Sequence, residues 1–274
     1  MLDRRDFIAG GLLAATAPDK VCGQPQRPKT HLLAVGVKKY RAFDPLANPA
    51  LDALLVGDTF RKLVGLVDQV SISMILDGTR DEILAGAAHA RKTSGDGPIV
   101  MFFAGHGVQV EGRSYLVPPD CTYWTTAYDV KREGLEVGFL IETYTMAKGS
   151  SFMLFLDACR NNPFADADWA KGARGLSAPV ATSGSTVSAD EWVLPTNVAI
   201  SYSTQPGMVA EDGPPGMNSP YAKAFASILR ANPLITYRAL VEQIEERVVR
   251  ASNGEQIPWF RANINMDLPI LSPT

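Results

Sequence analysis

Two residues in this chain of 274 have the types and surroundings to do covalent chemistry together, Cys159 and His106. The run FMLFLDACRNNPF, residues 152–164, is apolar up to Leu156 and then turns polar through Asp157, Ala158 and Cys159. PIVMFFAGHG, residues 98–107, breaks in the same way at His106. Both read as buried strands with a reactive group just past the carboxyl end, the edge where open α/β sheets place their sites. A thiol beside an imidazole is a reagent for acyl transfer, because a free cysteine with a pKa of about 8.5 needs a base to become the attacking thiolate near neutrality. A lone cysteine is ordinarily an inert core residue. Against that stand the polar Arg160, Asn161 and Asn162 that follow Cys159, and the glycines at 105 and 107 that frame His106 in a tight turn. Without a side chain, Gly107 leaves its N–H free to approach a substrate oxygen closely.

The rest of the pattern supplies elements to carry these two ends. HLLAVGV (31–37), SISMILDG (71–78), PIVMFFA (98–104), residues 151–157 and NVAISYST (197–204) are short apolar runs of strand length. Between them lies a helix over residues 50–63, with Leu51, Leu54, Leu55 and Leu63 expected on its buried face. Thr79 is placed to cap a second helix, carrying Ile83, Leu84, Ala87 and Ala88 at helical spacing. VQVEGRSYLVPPD suggests a hairpin turning at Glu111 and Gly112, before a helix over residues 136–147 that buries Val137, Leu140, Ile141 and Tyr144. Two more helices are expected after residue 217. One is opened by Asn218 or Ser219 with Pro220 in its first turn, and the other runs from about Thr236 to Ala251 with Leu240, Ile244, Val248 and Val249 on one face. Strands separated by helices of this length give an α/β fold, a mostly parallel sheet covered on both faces.

Composition removes several functions. A formal net charge of -3 and a pI near 5.7 leave no basic stripe for a nucleic acid. No run is long and apolar enough for a polytopic membrane protein. No zinc spacing, HExxH, GxSxG elbow, P-loop or dinucleotide glycine pattern occurs, so neither a metal nor a cofactor is expected. At the N-terminus, Arg4 and Arg5 precede a short apolar stretch from Phe7 to Ala17, which fits a twin-arginine export signal and a periplasmic destination. Residues 1–29 are accordingly read as export signal and linker, and residues 30–274 as one domain with a mobile loop over 160–196 rich in Ala, Gly, Ser and Pro. Three cysteines in an exported chain leave at least one thiol unpaired within the molecule.

A small-Gly-His-Gly turn, followed about 50 residues later by Asp-Ala-Cys-Arg at a strand end, resembles the caspase superfamily of Cys-His peptidases. The likeness runs from residue 30 to about 271. It includes Leu51-Asp52-Ala53, Arg174-Gly175-Leu176, Ser203-Thr204-Gln205-Pro206-Gly207, Asn218-Ser219-Pro220 and Gln256-Ile257-Pro258-Trp259, in that order. The branch it is most similar to is the bacterial metacaspase-like proteins. The resemblance implies a three-layer α/β/α sandwich with about six strands, and a cysteine endopeptidase with His106 as base and Cys159 as nucleophile. The N–H groups of Gly107 and Cys159 would then hold the oxyanion.

The branch also implies the substrate. Metacaspases hold an Arg or Lys side chain with acidic residues, where animal caspases use arginines to hold aspartate. Asp52 and Asp157 match the acidic positions, and Glu211 or Asp212 stands where a caspase carries a pocket arginine. Carboxylates converging on one pocket bind a guanidinium by charge-assisted bonds. Asn161 and Asn162 depart from the usual residues after the cysteine, and no third member of a triad is evident. Lys171 and Arg174 lie where relatives are cut during maturation, and relatives are often activated by calcium, though Asp166, Asp168, Asp190 and Glu191 form no EF-hand pattern. The expected partners are peptides or proteins with basic residues. Two other readings remain: a caspase-like module that binds without cleaving, and a hydrolase or transpeptidase that uses the same dyad on other substrates.

Overall fold

The computed structural model describes residues 30–64, 70–145, 150–160 and 193–271. The segment 1–29, most of the 160–196 loop, Lys171, Arg174 and the four acidic residues considered for calcium lie outside the described residues. The chain opens with β1 (Thr30–Gly36), α1 (Pro49–Leu63), β2 (Val70–Leu76), α2 (Arg80–Ser94) and β3 (Ile99–Ala104). A small antiparallel sheet follows, made of β4 (Gly107–Val110), β5 (Arg113–Leu116) and β6 (Leu135–Glu136), with α3 (Ala127–Glu133) inside the connection. Then come α4 (Val137–Thr145), β7 (Phe152–Asp157), β8 (Val198–Tyr202), α5 (Pro220–Ala231), α6 (Tyr237–Ala251) and β9 (Trp259–Asn263).

The main sheet has six strands in the order β2-β1-β3-β7-β8-β9, parallel except for the antiparallel edge strand β9. Buried parallel strands alternate their side chains between two helical layers. Leu32, Ala34, Val100, Phe102, Met153 and Phe155 face α1, α5 and α6, whereas Leu33, Val35, Met101, Phe103, Leu154 and Leu156 face α2 and α4. This is the expected three-layer α/β/α sandwich.

The helix starts follow their capping residues. Thr79 accepts the N–H of Glu82 while Glu82 accepts that of Thr79, a complete capping box. Ser219 and Thr236 cap α5 and α6, and Pro220 takes the first turn of α5, where its missing N–H costs nothing.

The buried face of α1 differs from the leucine stripe. Leu51 and Leu54 are exposed, and Asp52, Ala53, Val56, Phe60 and Leu63 turn inward. The inner face admits a charged residue because Asp52 finds donors on α5's cap, and its small residues let the helix lie close on the sheet. A Cβ on Gly57, for instance, would stand 2.8 Å from Met74 Sδ. Likewise α2 buries Ile83, Ala87 and Ala90 while Ala88 is exposed. The short α3, β6 and the edge strand β9 were not expected; α3 starts at a local Thr126–Asp129 capping box, whereas β6 and β9 exist through pairing with β5 and β8.

Candidate active site

Strands β3 and β7 are neighbours in register, with Ala104 opposite Asp157. His106 and Cys159 each follow that pair by two residues, so parallel pairing delivers both side chains to one edge of the sheet. Gly105 N–H donates to the Asp157 carbonyl at 3.2 Å, continuing the pairing one step past the strands. Gly107 packs so tightly on the cysteine turn that a Cβ there would stand 2.7 Å from the Cys159 carbonyl oxygen and 2.9 Å from Ala158 Cβ. Across β4 and β5, Val117 N–H donates to the His106 carbonyl and Gly107 faces Leu116. The antiparallel alternation then turns the Gly107 N–H away from β5, toward the cysteine side.

His106 is buried, and its Nε2 lies 2.9 Å from the carbonyl oxygen of Asp44. A carbonyl only accepts, so Nε2 carries the proton and Nδ1 is the basic nitrogen. Burial pulls the imidazole down to about 4, against the weaker upward pull of the Asp44 carbonyl and carboxylate. The half-buried Cys159 places Sγ 3.9 Å from the Ala210 carbonyl oxygen. Burial pushes its thiol up to about 11, with Asp157 and Asp212 adding to the rise and the Ala210 contact opposing it. The resting pair is therefore a thiol and a neutral imidazole.

The chain after Cys159 is held by its neighbour. Arg160 N–H donates to the Met208 carbonyl and its own carbonyl accepts from Gly207 N–H, both at 2.9 Å. Its guanidinium lies 3.8 Å from the centre of the Tyr202 ring and 4.9 Å from that of Trp259. Cation–π contact of this kind holds the Arg160 side chain against these two rings.

Beside the thiol and imidazole opens a cavity of about 310 Å³, lined by His106, Cys159 and by Asp44, Asp52, Asp157, Glu211 and Asp212. Among the described residues no Lys or Arg lines it. Ser219 joins two of these carboxylates: its hydroxyl donates to Asp157 and its N–H to Asp52 at 3.0 Å, while Asn218 Nδ2 donates to Asp52 at 2.9 Å. Burial raises Asp52 to about 6, with the charge of Asp212 adding to the rise, and raises Asp157 well above the carboxylate range, with the charge of Asp52 adding to it. Asp212 is spoken for by the fold, since its carboxylate accepts the N–H groups of Ala47 and Asn48 at 2.8 and 3.2 Å. Glu211 faces the same cavity, and its N–H is held by Gln256 Oε1 at 3.1 Å.

Residues 29–268 match the caspase domain. The chain belongs to that family of cysteine peptidases. No curated protein gives a significant match. Of the described residues given site roles from the sequence, His106, Cys159, Asp52, Asp157, Glu211 and Asp212 line this cavity, and Gly107 packs against the cysteine turn. Tyr40, Asp44, Asn48 and the bridging role of Ser219 carry no local signal in the sequence. A backbone carbonyl has no side-chain signature, which is why Asp44 was invisible as the partner of His106. Ser219 was legible only as a helix cap. Asn48, fully buried, donates through Nδ2 to the carbonyls of Asp212, Gly213 and Pro214 and accepts Gly216 N–H, so it ties the acidic loop to the start of α1.

Among the described residues no three His, Cys, Asp or Glu side chains form a group able to hold a metal ion. No described helix is long and apolar enough to cross a membrane.

Proposed function

We propose that this caspase domain is an endopeptidase that cuts after Arg or Lys. The observation that carries the reading is the cavity in which Cys159 and His106 stand beside Asp52, Asp157, Glu211 and Asp212, with no basic side chain among the described residues of its wall. A guanidinium or ammonium entering it meets the carboxylates of Asp52 and Glu211, with Asp157 and Asp212 as further acceptors, and an aspartyl side chain meets repulsion.

In the proposed reaction Nδ1 of His106 takes the Cys159 proton as the sulfur attacks the carbonyl carbon of the basic residue. Negative charge moves to the carbonyl oxygen, held by the N–H groups of Gly107 and Cys159. The imidazolium, steadied by Nε2–H on the Asp44 carbonyl, gives its proton to the leaving amine as the C–N bond breaks. Water then attacks the thioester, losing a proton to His106, and the acid product leaves as the thiol re-forms.

Fluorogenic peptides ending in Arg, Lys or Asp, tested with wild type and Cys159→Ala, with and without calcium, check each part. Turnover of Arg or Lys peptides that vanishes in Cys159→Ala is expected. Preference for Asp would overturn the pocket. No Cys159-dependent turnover of any peptide would favour a module that binds without cleaving.

A further inference from the structure

The loop between β1 and α1 supplies two groups to His106. One is the Asp44 carbonyl already described, and the other is the side chain of Tyr40. Its ring centre lies 4.5 Å from that of the imidazole, tilted by 46°. Its hydroxyl accepts the backbone N–H of His106 at 2.7 Å and donates to the Val37 carbonyl at 2.9 Å. A continued β4–β5 ladder would send that N–H to Val117; here the ladder stops at the histidine and Tyr40 takes the donor. The hydroxyl reaches this place because residue 105 is glycine: a Cβ there would stand 2.7 Å from it.

The loop itself is anchored on both sides. The Asp77 carboxylate accepts the N–H groups of Lys38 and Lys39 at 2.7 and 2.9 Å. Arg41 N–H donates to the Pro119 carbonyl and Leu46 N–H to the Lys38 carbonyl, at 2.9 and 3.0 Å. Tyr40 therefore presses on His106 from a fixed support. Burial holds its phenol well above the usual tyrosine range, so it remains a hydroxyl able to donate and accept at once.

We propose that Tyr40 is a positioning residue for His106, its hydroxyl fixing the histidine backbone and its ring fixing the imidazole plane, so that Nε2 stays on Asp44 and Nδ1 stays available to Cys159. The ring and the hydroxyl have separable effects. Loss of the hydroxyl leaves the His106 N–H without its partner, and loss of the ring frees the imidazole to turn and admits water.

The test compares the full chain with Tyr40→Phe and Tyr40→Leu. Nitrogen-15 NMR of the His106 ring reads tautomer and titration, and steady-state kinetics on an Arg peptide reads kcat and KM. Wild type is expected to hold the Nε2–H tautomer, with the ring titrating near 4. Tyr40→Phe keeps that tautomer and loses about tenfold in kcat with KM within about twofold, the effect of one misplaced catalytic hydrogen bond. Tyr40→Leu loses about 100-fold, shows both tautomers and titrates closer to an ordinary histidine. The kinetic arm rests on the peptidase reading, but the NMR arm does not. Should wild type turn over no peptide, that reading fails, and mixed tautomers in Tyr40→Leu still support the positioning role. An unchanged His106 tautomer and titration in a folded Tyr40→Leu protein would overturn it, as would kcat losses that merely track the fraction unfolded.

Discussion

The Nε2–H of His106 points at the Asp44 carbonyl oxygen from 2.9 Å, which assigns the proton to that nitrogen and the lone pair to Nδ1. A carbonyl orients an imidazole without adding the full charge that a carboxylate would, so burial dominates and the ring titrates at about 4 while the Cys159 thiol rises to about 11. Between those values neither group is charged. The free protein is thus expected to lack a preformed thiolate–imidazolium pair, and the rate of Cys159 alkylation by iodoacetamide should climb about tenfold per pH unit between about pH 6 and 9. Site-resolved mass spectrometry follows Cys159 apart from Cys22 and Cys121. A rate already level below neutral pH would mean that the ion pair exists at rest.

The cavity carboxylates give a second pH dependence with the opposite cause. Burial raises Asp52 to about 6, so its charged form, the one that attracts a cation, is present above that pH and lost as pH falls through it. KM for an Arg peptide should therefore rise below about pH 6 while kcat holds until His106 protonates. The same shift acts on stability with the reverse sign. Between the unfolded value of 3.8 and the folded value of about 6 the native state binds more protons than the unfolded chain, so the empty protein loses stability as pH rises through that window. A shift of this size amounts to on the order of 3 kcal/mol. Asp52→Asn, which keeps an acceptor for Asn218 and Ser219, is expected to melt higher than wild type at pH 7.5 and to bind basic peptides more weakly. A lower melting temperature for Asp52→Asn at that pH would contradict the assigned cost of the buried charge.

The parts of the site that could be read directly from the sequence are those whose position follows from strand ends. His106 and Cys159 lie together because two apolar runs of similar length pair in parallel, and each reactive residue sits two steps past its end. The carboxylate Asp157 belongs to the same strand and came with it. Asp52 was placed on the right helix, but its orientation was not legible from leucine periodicity: Leu51 and Leu54 turned out to be exposed, and Asp52 was drawn inward by donors on α5. Contacts that hold the site across long sequence separations, such as Tyr40 with His106 or Asn48 with Asp212, depend on how a loop crosses the sheet edge. Nothing in the local spacing encodes that crossing.

Asn48 offers a way to disturb the acidic loop without touching the thiol. Its Nδ2 donates to three carbonyls, and an aspartate of the same shape would place carboxylate oxygen against the carbonyls of Asp212, Gly213 and Pro214. Losing these donors and burying a repulsive charge should cost about 2–4 kcal/mol of stability. KM for Arg peptides should rise about tenfold or more as the loop carrying Glu211 and Asp212 comes loose, in line with the loss of a charge-assisted contact. Iodoacetamide, which has no side chain to place in the cavity, should alkylate Cys159 at the wild-type rate. Equal slowing of both reactions would show that Asn48 supports the whole site and not the acidic loop.

Two glycine substitutions separate damage to the fold from damage to the reaction. A Cβ on Gly107 meets the Cys159 carbonyl oxygen at 2.7 Å and Ala158 Cβ at 2.9 Å, and neither is the end of a flexible side chain. Gly107→Ala must move the cysteine turn, at a cost of about 1–3 kcal/mol for overpacking. Moving it also shifts both proposed oxyanion donors relative to Sγ, so kcat should fall about 100-fold or more. Gly95 is far from the cavity; a Cβ there meets nothing within 4 Å, but its φ of 59° disfavours any side chain. Gly95→Ala should lose about 1 kcal/mol through backbone strain and keep kcat within about twofold. Thermal melts and kinetics on the two variants together make the comparison. Comparable melting losses with kcat lost only in Gly107→Ala would tie the defect to the contact between the histidine turn and the cysteine turn; an active Gly107→Ala enzyme would remove Gly107 from the proposed mechanism.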